Sequence, residues 1–266
     1  MGPVFLLAGG GRTGSTLIQR LVLSTRQVLM WGEHGGILVP HLRQLVASAH
    51  SFVTKAKGNQ MRESFIANGH GAWVANMNPE MSYFQAGCKT FLEQSMGAAA
   101  RDMGYERWGF KEIRYGLTEA LILQELFPDA SFILLVRDPV HCLKSIKGSM
   151  WYGKDFQSSP ARFLNAWSQI SKELADARTQ LKHCCFIRYE DAIANPQKIT
   201  QEISEAIRIP FSAFDLTTFD RKLRGSPTPP SDLDKEDFDA MGDKYFLSVA
   251  SMLKYEVPTG NVADGF

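Results

Sequence analysis

The chain carries only four cysteines in 266 residues, Cys88, Cys142, Cys184 and Cys185, and no CxxC pair of the kind a zinc site uses. Cys184 and Cys185 are adjacent in an apolar segment that reads as a buried strand, so all four are expected to be reduced thiols. Neither sign of charge is in excess. With 29 Lys and Arg against 28 Asp and Glu the formal net charge is +1, which gives no global attraction for nucleic acid or an anionic membrane. Long apolar runs are missing too. The first one is too short to span a bilayer and lacks a basic leader or a cleavage site, so no membrane span and a cytoplasmic protein are expected. No repeat, low-complexity tract or metal-ligand cluster is present, and no metal is expected. The length allows a sizeable core, read as one domain over 1–266 with a helical insertion.

What is present begins at once. An apolar run over 3–8 is followed by Gly9, Gly10, Gly11, Arg12, Thr13, Gly14, Ser15 and Thr16, and then by Leu17, Ile18, Leu21 and Val22 on one helical stripe. This is a strand, a glycine-rich turn and a helix start. The first amides of a helix have no partner and the macrodipole adds positive charge there, so the turn is a cradle for an anion. The spacing from Gly9 to Gly14 fits the start of a nucleoside triphosphate loop, but Ser15 stands where that motif needs lysine.

Further along, 27–31 reads as a second strand leading to the turn Gly32, Glu33, His34, Gly35, Gly36. Helices are expected over 37–58 and 79–103, with 60–71 either helix or loop, so 37–105 forms a helical insertion that walls an acceptor pocket. Strand-helix alternation resumes with 107–111, 116–126 and the continuous apolar run 131–136, which suits a central parallel strand. Arg137, Asp138 and Pro139 open another helix. Phe163, Trp167, Ile170, Leu174, Ala177 and Leu181 form one apolar helix face, for packing on a sheet or for a homodimer. A strand over 183–188, a helix over 196–207, a loop over 221–234 and a last helix over 235–254 complete the chain. The pattern predicts an α/β fold, an open parallel sheet flanked by helices, with its crevice at the carboxyl ends of the strands.

Three stretches converge on that edge: residues 9–16, 137–145 and 188–191. Arg137 at a strand end, with Ser145 two helical turns on, places a charge and a hydroxyl around a second phosphate. In this combination the sequence resembles the sulfotransferases that use 3′-phosphoadenosine 5′-phosphosulfate (PAPS). Their 5′-phosphosulfate loop is matched by Arg12, Thr13, Gly14, Ser15 and Thr16, their 3′-phosphate motif by Arg137, Asp138, Pro139 and Ser145, and a late triplet by Tyr189, Glu190 and Asp191. The stretch from Gly11 to Glu33 is most similar to tyrosylprotein sulfotransferases and related bacterial enzymes.

The resemblance implies a P-loop-like fold, PAPS as co-substrate and adenosine 3′,5′-bisphosphate (PAP) as product. It implies Glu33 as catalytic base, with His34 as runner-up, and Arg12 and Lys111 at the sulfuryl group. Gly11 to Thr16, Arg137, Ser145 and Tyr189 would bind the nucleotide, and a C-terminal loop containing Arg221, Lys222, Arg224 and Gly225 would close over it. Where some relatives carry another basic residue after the serine, this chain has Ser149, with Lys144 and Lys147 as nearby substitutes. The acceptor would be a hydroxyl-bearing small molecule, glycan or lipid, ahead of a peptide tyrosine. Two rival readings remain: a P-loop kinase of a small metabolite, which Ser15 opposes, and a non-catalytic nucleotide-binding protein.

Overall fold

Val4–Ala8 (β1) is apolar at every position because both faces of the strand are covered, and all five residues are fully buried. The computed structural model describes residues 1–55, 57–220 and 231–258. β1 lies at the centre of a five-stranded, wholly parallel sheet with β2 (Val28–Trp31), β3 (Arg107–Glu112), β4 (Ser131–Val136) and β5 (Cys184–Arg188), in the order β2-β3-β1-β4-β5. Val4 pairs with Gly109 on one side and Ser131 on the other.

The helices are α1 (Ser15–Ser24), α2 (Leu38–His50), α3 (Gly58–Asn68), α4 (Met81–Leu92), α5 (Ala99–Asp102), α6 (Leu117–Leu126), α7 (Pro139–Lys147), α8 (Met150–Phe156), α9 (Pro160–Ala177), α10 (Tyr189–Ala194), α11 (Pro196–Ile207), α12 (Lys235–Met241) and α13 (Lys244–Met252). Because strand side chains alternate, Phe5 and Leu7 point to one face, where α2, α4, α6 and the second half of α9 cover them with Val39, Leu42, Leu92, Leu123 and Leu174. Val4, Leu6 and Ala8 point to the other, covered by Ile18, Leu21 and Val22 of α1 and Ile199, Ile203 and Ile207 of α11. Each such aliphatic side chain contributes about 1.5–3 kcal/mol on burial. A third cluster joins α7, α8 and the start of α9 to α12 and α13.

Several expectations need correction. The helix expected over 37–58 stops at His50; a π turn over Ser51–Lys55 follows, and α3 begins at Gly58, so most of the ambiguous stretch 60–71 is helical. The helix expected over 79–103 runs as α4, a π turn over Glu93–Ala98 and α5. The final helix is two: α12 ends at Gly242, and Asp243 caps α13 by accepting from Phe246 N. The face of Phe163, Trp167, Leu174, Ala177 and Leu181 is buried within the chain's own core and is not a dimer surface. Cys184 and Cys185 are both partly rather than fully buried, and all four cysteines are free thiols. Among the described residues, no helix is long and apolar enough to cross a membrane.

Candidate active site

Helix α1 starts at Gly14, which sits in the left-handed region at φ 83°, a conformation that favours glycine. A Cβ there would run into the ring of Tyr189, so glycine is required twice over. Gly14 provides no side-chain cap and the first turn of α1 holds no acidic residue, which leaves the helix's first amides to the cradle. Thr13 and Ser15 are buried in the loop, and Thr13 Oγ1 donates to the Gly10 carbonyl at 3.0 Å. Gly11 faces Ile113 beyond β3 and Ile146 of α7.

The second motif folds onto the first. Asp138 caps α7 by accepting from Val140 N and His141 N, with Pro139 in the first turn. In its last turn, Ser145 Oγ accepts a hydrogen bond from Arg12 Nε at 2.9 Å. Arg137 Nη1 donates to the Arg12 carbonyl at 2.8 Å, and its guanidinium stacks 4.4 Å from the centre of the Tyr189 ring. Tyr189 is thus wedged between Gly14 and Arg137. Glu190 accepts from Asp138 N at 3.0 Å and from the Tyr255 hydroxyl at 3.2 Å, while Trp167 Nε1 donates to the Arg137 carbonyl at 3.0 Å. The late triplet therefore braces the strand end that carries Arg137. Lys147 is committed elsewhere: it pairs with Asp234 at 2.7 Å and with the fully buried Asp237, and so ties α7 to α12. Ser149 Oγ donates to the Ile146 carbonyl at 2.8 Å. Arg221, Lys222, Arg224 and Gly225 lie outside the described residues.

The turn after β2 reaches the neighbouring strand end. Lys111 Nζ, buried on β3, donates to Glu33 Oε1 at 2.6 Å, and Arg114 Nη1 lies 3.4 Å from Glu33 Oε2. Glu33 keeps 31% of its side chain exposed. Gln19 of α1 donates to the Met30 and Trp31 carbonyls at 3.0 and 3.1 Å, tying the cradle helix to the strand that delivers Glu33. His34 packs the edge of its ring on Phe110, 4.8 Å between centres, and its buried Nδ1 has no partner. Burial lowers its pKa, with Glu112 and Glu33 opposing. Among the described residues, no group of three or more His, Cys, Asp or Glu is placed to hold a metal.

The structure thus brings Gly11 to Thr16, Arg137, Ser145 and Tyr189 together at the carboxyl ends of β1, β4 and β5, and Glu33 to Lys111 at the ends of β2 and β3. The sequence reading missed Glu112, Arg114 and Asp155. Arg114 bridges Glu33, Glu112 at 3.5 Å and Asp155 of α8 at 3.6 Å. The signal available was three charged residues, Lys111, Glu112 and Arg114, clustered at and just beyond the carboxyl end of β3.

Comparison with known proteins follows the same line. No curated protein sequence matches the chain significantly. Among solved structures, the sulfotransferase domain from the curacin biosynthetic pathway is similar at 16% identity with a TM-score of 0.52, covering 97% of this chain and 99% of that one. The sulfotransferase domain of the Synechococcus PCC 7002 olefin synthase is similar at 16% identity and a TM-score of 0.51, covering 97% and 96%. A sulfotransferase from Alicyclobacillus acidocaldarius is similar at 11% identity and a TM-score of 0.50, covering 97% and 98%. At such identities the likeness is one of fold. The family model described as the sulfotransferase family matches residues 3–213, from the start of β1 past the end of α11. This chain belongs to the sulfotransferase family.

Proposed function

We propose that the chain transfers a sulfuryl group from PAPS to a hydroxyl of an acceptor, with Glu33 as general base. One observation carries the reading: Arg12 of the cradle and Ser145 of the second motif, 133 residues apart, share a hydrogen bond at the edge where Glu33 meets Lys111. The donor set suits an anion with two phosphate-like ends. The uncapped amides of α1 and the side chains of Arg12, Thr13, Ser15 and Thr16 would hold the 5′ end. Arg137 and Ser145 would hold the 3′-phosphate, and the buried Arg137 Nε is a donor still without a protein partner.

PAPS, when bound, supplies a sulfuryl group already activated by its phosphate leaving group. The rest falls to the chain. Glu33 takes the acceptor proton, which requires the hydroxyl within hydrogen-bond reach of its carboxylate. Lys111 lies beside that carboxylate, where its ammonium would offset charge on the transferred group. Arg12 and the amides of residues 13–16 place fixed positive charge at the leaving end. Positioning does much of the remaining work, by analogy with phosphoryl transfer. The helical insertion starts with α2 directly after the base's turn and would wall the pocket of a small-molecule, glycan or lipid acceptor.

Titration calorimetry tests the donor half. Metal-independent binding of PAP and none of ATP with magnesium is expected, and preference for ATP with magnesium would return the kinase reading. Binding of PAP without transfer to any acceptor in a broad hydroxyl panel would favour the non-catalytic reading instead.

A further inference from the structure

Glu112 ends β3 with no solvent exposure at all, a state a carboxylate adopts only when it is fully paired. Its Oε2 accepts the backbone N–H of His34 at 2.9 Å and of Gly36 at 3.0 Å, and its Oε1 accepts that of Ile113 at 2.9 Å. Arg114 Nη1 approaches Oε1 at 3.5 Å. Two of the three amides belong to the turn that carries Glu33. That turn has left the sheet, since the last β2–β3 pair is Trp31 with Phe110. Its backbone donors would otherwise face solvent, and the buried carboxylate takes the place of the lost ladder. The fit is close: Gly36 has a φ of 74°, and a Cβ there would lie 2.8 Å from Arg114 Cβ. Arg114 completes the bridge by reaching from Glu112 to Glu33.

We infer that Glu112 is a positioning residue for the base: it holds the 32–36 turn by its backbone so that the Glu33 carboxylate stays on Lys111 Nζ. The inference rests on the reading of Glu33 as base. It differs from a bare stabilising role because two of its three backbone bonds end in the turn that carries Glu33. A misplacement of about 1 Å at a reacting group costs on the order of 100-fold in rate.

The test compares Glu112→Gln, which keeps the shape but replaces one acceptor oxygen with a donor, in the wild-type and the Glu33→Ala backgrounds. Transfer from radiolabelled PAPS to 2-naphthol gives kcat, and calorimetry gives PAP affinity. The expected result is a kcat lower by about 10- to 100-fold with PAP affinity within about twofold, and no further loss when Glu33 is already absent. Unchanged kcat, or an equal loss in both backgrounds, overturns the inference.

Where the variant does not fold or the wild type does not turn over 2-naphthol, hydrogen exchange of the wild-type protein decides. The His34 and Gly36 amides should be protected by about 100-fold or more, and exchange of both at the rate of free turn amides overturns the inference. The two readings fail separately: a wild type that binds no PAP sinks the sulfotransferase donor site whatever the exchange rates, whereas bound PAP with unprotected amides sinks only the role of Glu112.

Discussion

The glycine-rich loop proposed to cradle the nucleotide and the turn that carries Glu33 occupy the same sheet edge but are held in different ways. In the cradle, side chains brace backbone: Arg137 holds the Arg12 carbonyl, Trp167 holds the Arg137 carbonyl, Glu190 holds the Asp138 amide, and Tyr189 fills the space beside Gly14. At the Glu33 turn a buried charge braces the backbone, Glu112 accepting from the His34 and Gly36 amides, and ion pairs hold the Glu33 carboxylate itself. Glu33, Lys111, Arg114, Glu112 and Asp155 form one connected set of ion pairs drawn from two elements, β3 and α8, and the turns that follow β2 and β3. Braced backbone is rigid and suits a ligand whose shape is fixed. An ion-pair network, partly exposed, can exchange partners, as the base role proposed for Glu33 requires. The two regions should therefore respond differently to mutation.

The largest effect should fall on turnover. Glu33→Gln is expected to lower kcat by about 100-fold or more while PAP affinity stays within about twofold, read by initial rates and calorimetry. Full activity in that variant would end the assignment of Glu33. Next, Arg137→Lys removes a planar fork that both stacks on Tyr189 and bonds a carbonyl, which lysine cannot reproduce. PAP affinity should fall by about 10- to 100-fold, the equivalent of about 1.5–3 kcal/mol for charged hydrogen bonds, with kcat at saturating PAPS close to wild type. A collapse of kcat with unchanged affinity would show that the two halves are not separable.

Gly14→Ala should act on stability as well as on binding, because the left-handed backbone and the Tyr189 ring both oppose a Cβ. A loss of about 1–3 kcal/mol is expected in denaturant titration, and an unchanged midpoint would mean that Tyr189 is not wedged there. The smallest effect concerns His34. Burial holds its folded-state pKa below the ordinary 6.5, so the unfolded chain binds the proton first. Stability should therefore fall as pH drops from about 6.5 towards the lower folded value and level off beneath it. His34→Leu should flatten that part of the thermal melting profile, and an identical profile in the two proteins would remove His34 as the cause.

How much of this was readable beforehand depended on distance along the chain. β1, the cradle and α1 are contiguous, as are β4, Arg137 and α7, so their glycine, proline and capping signals sit beside the elements they shape. α8 escaped notice because seven residues carry too little periodicity to see. The break between α12 and α13 depends on Asp243 acting as a cap inside what otherwise reads as one helical stretch. Tyr189 was legible as part of a triplet, but its position against Gly14 was not, because 175 residues separate them in sequence and β5 must first pair with β4.

By itself the sequence determined the parallel α/β alternation, the glycine-rich turn between β1 and α1, and the proline-opened start of α7 after β4. Each of these is written in short runs whose periodicity or turn chemistry acts locally. Only the tertiary structure decided that Glu33 lands on Lys111, that Arg12 bonds Ser145, that Lys147 turns to the C-terminal helices, and that Glu112 is buried under the base's turn. These are charge and hydrogen-bond pairings across 76 or more residues of chain. Their partners are chosen by strand order and register, which no local pattern encodes.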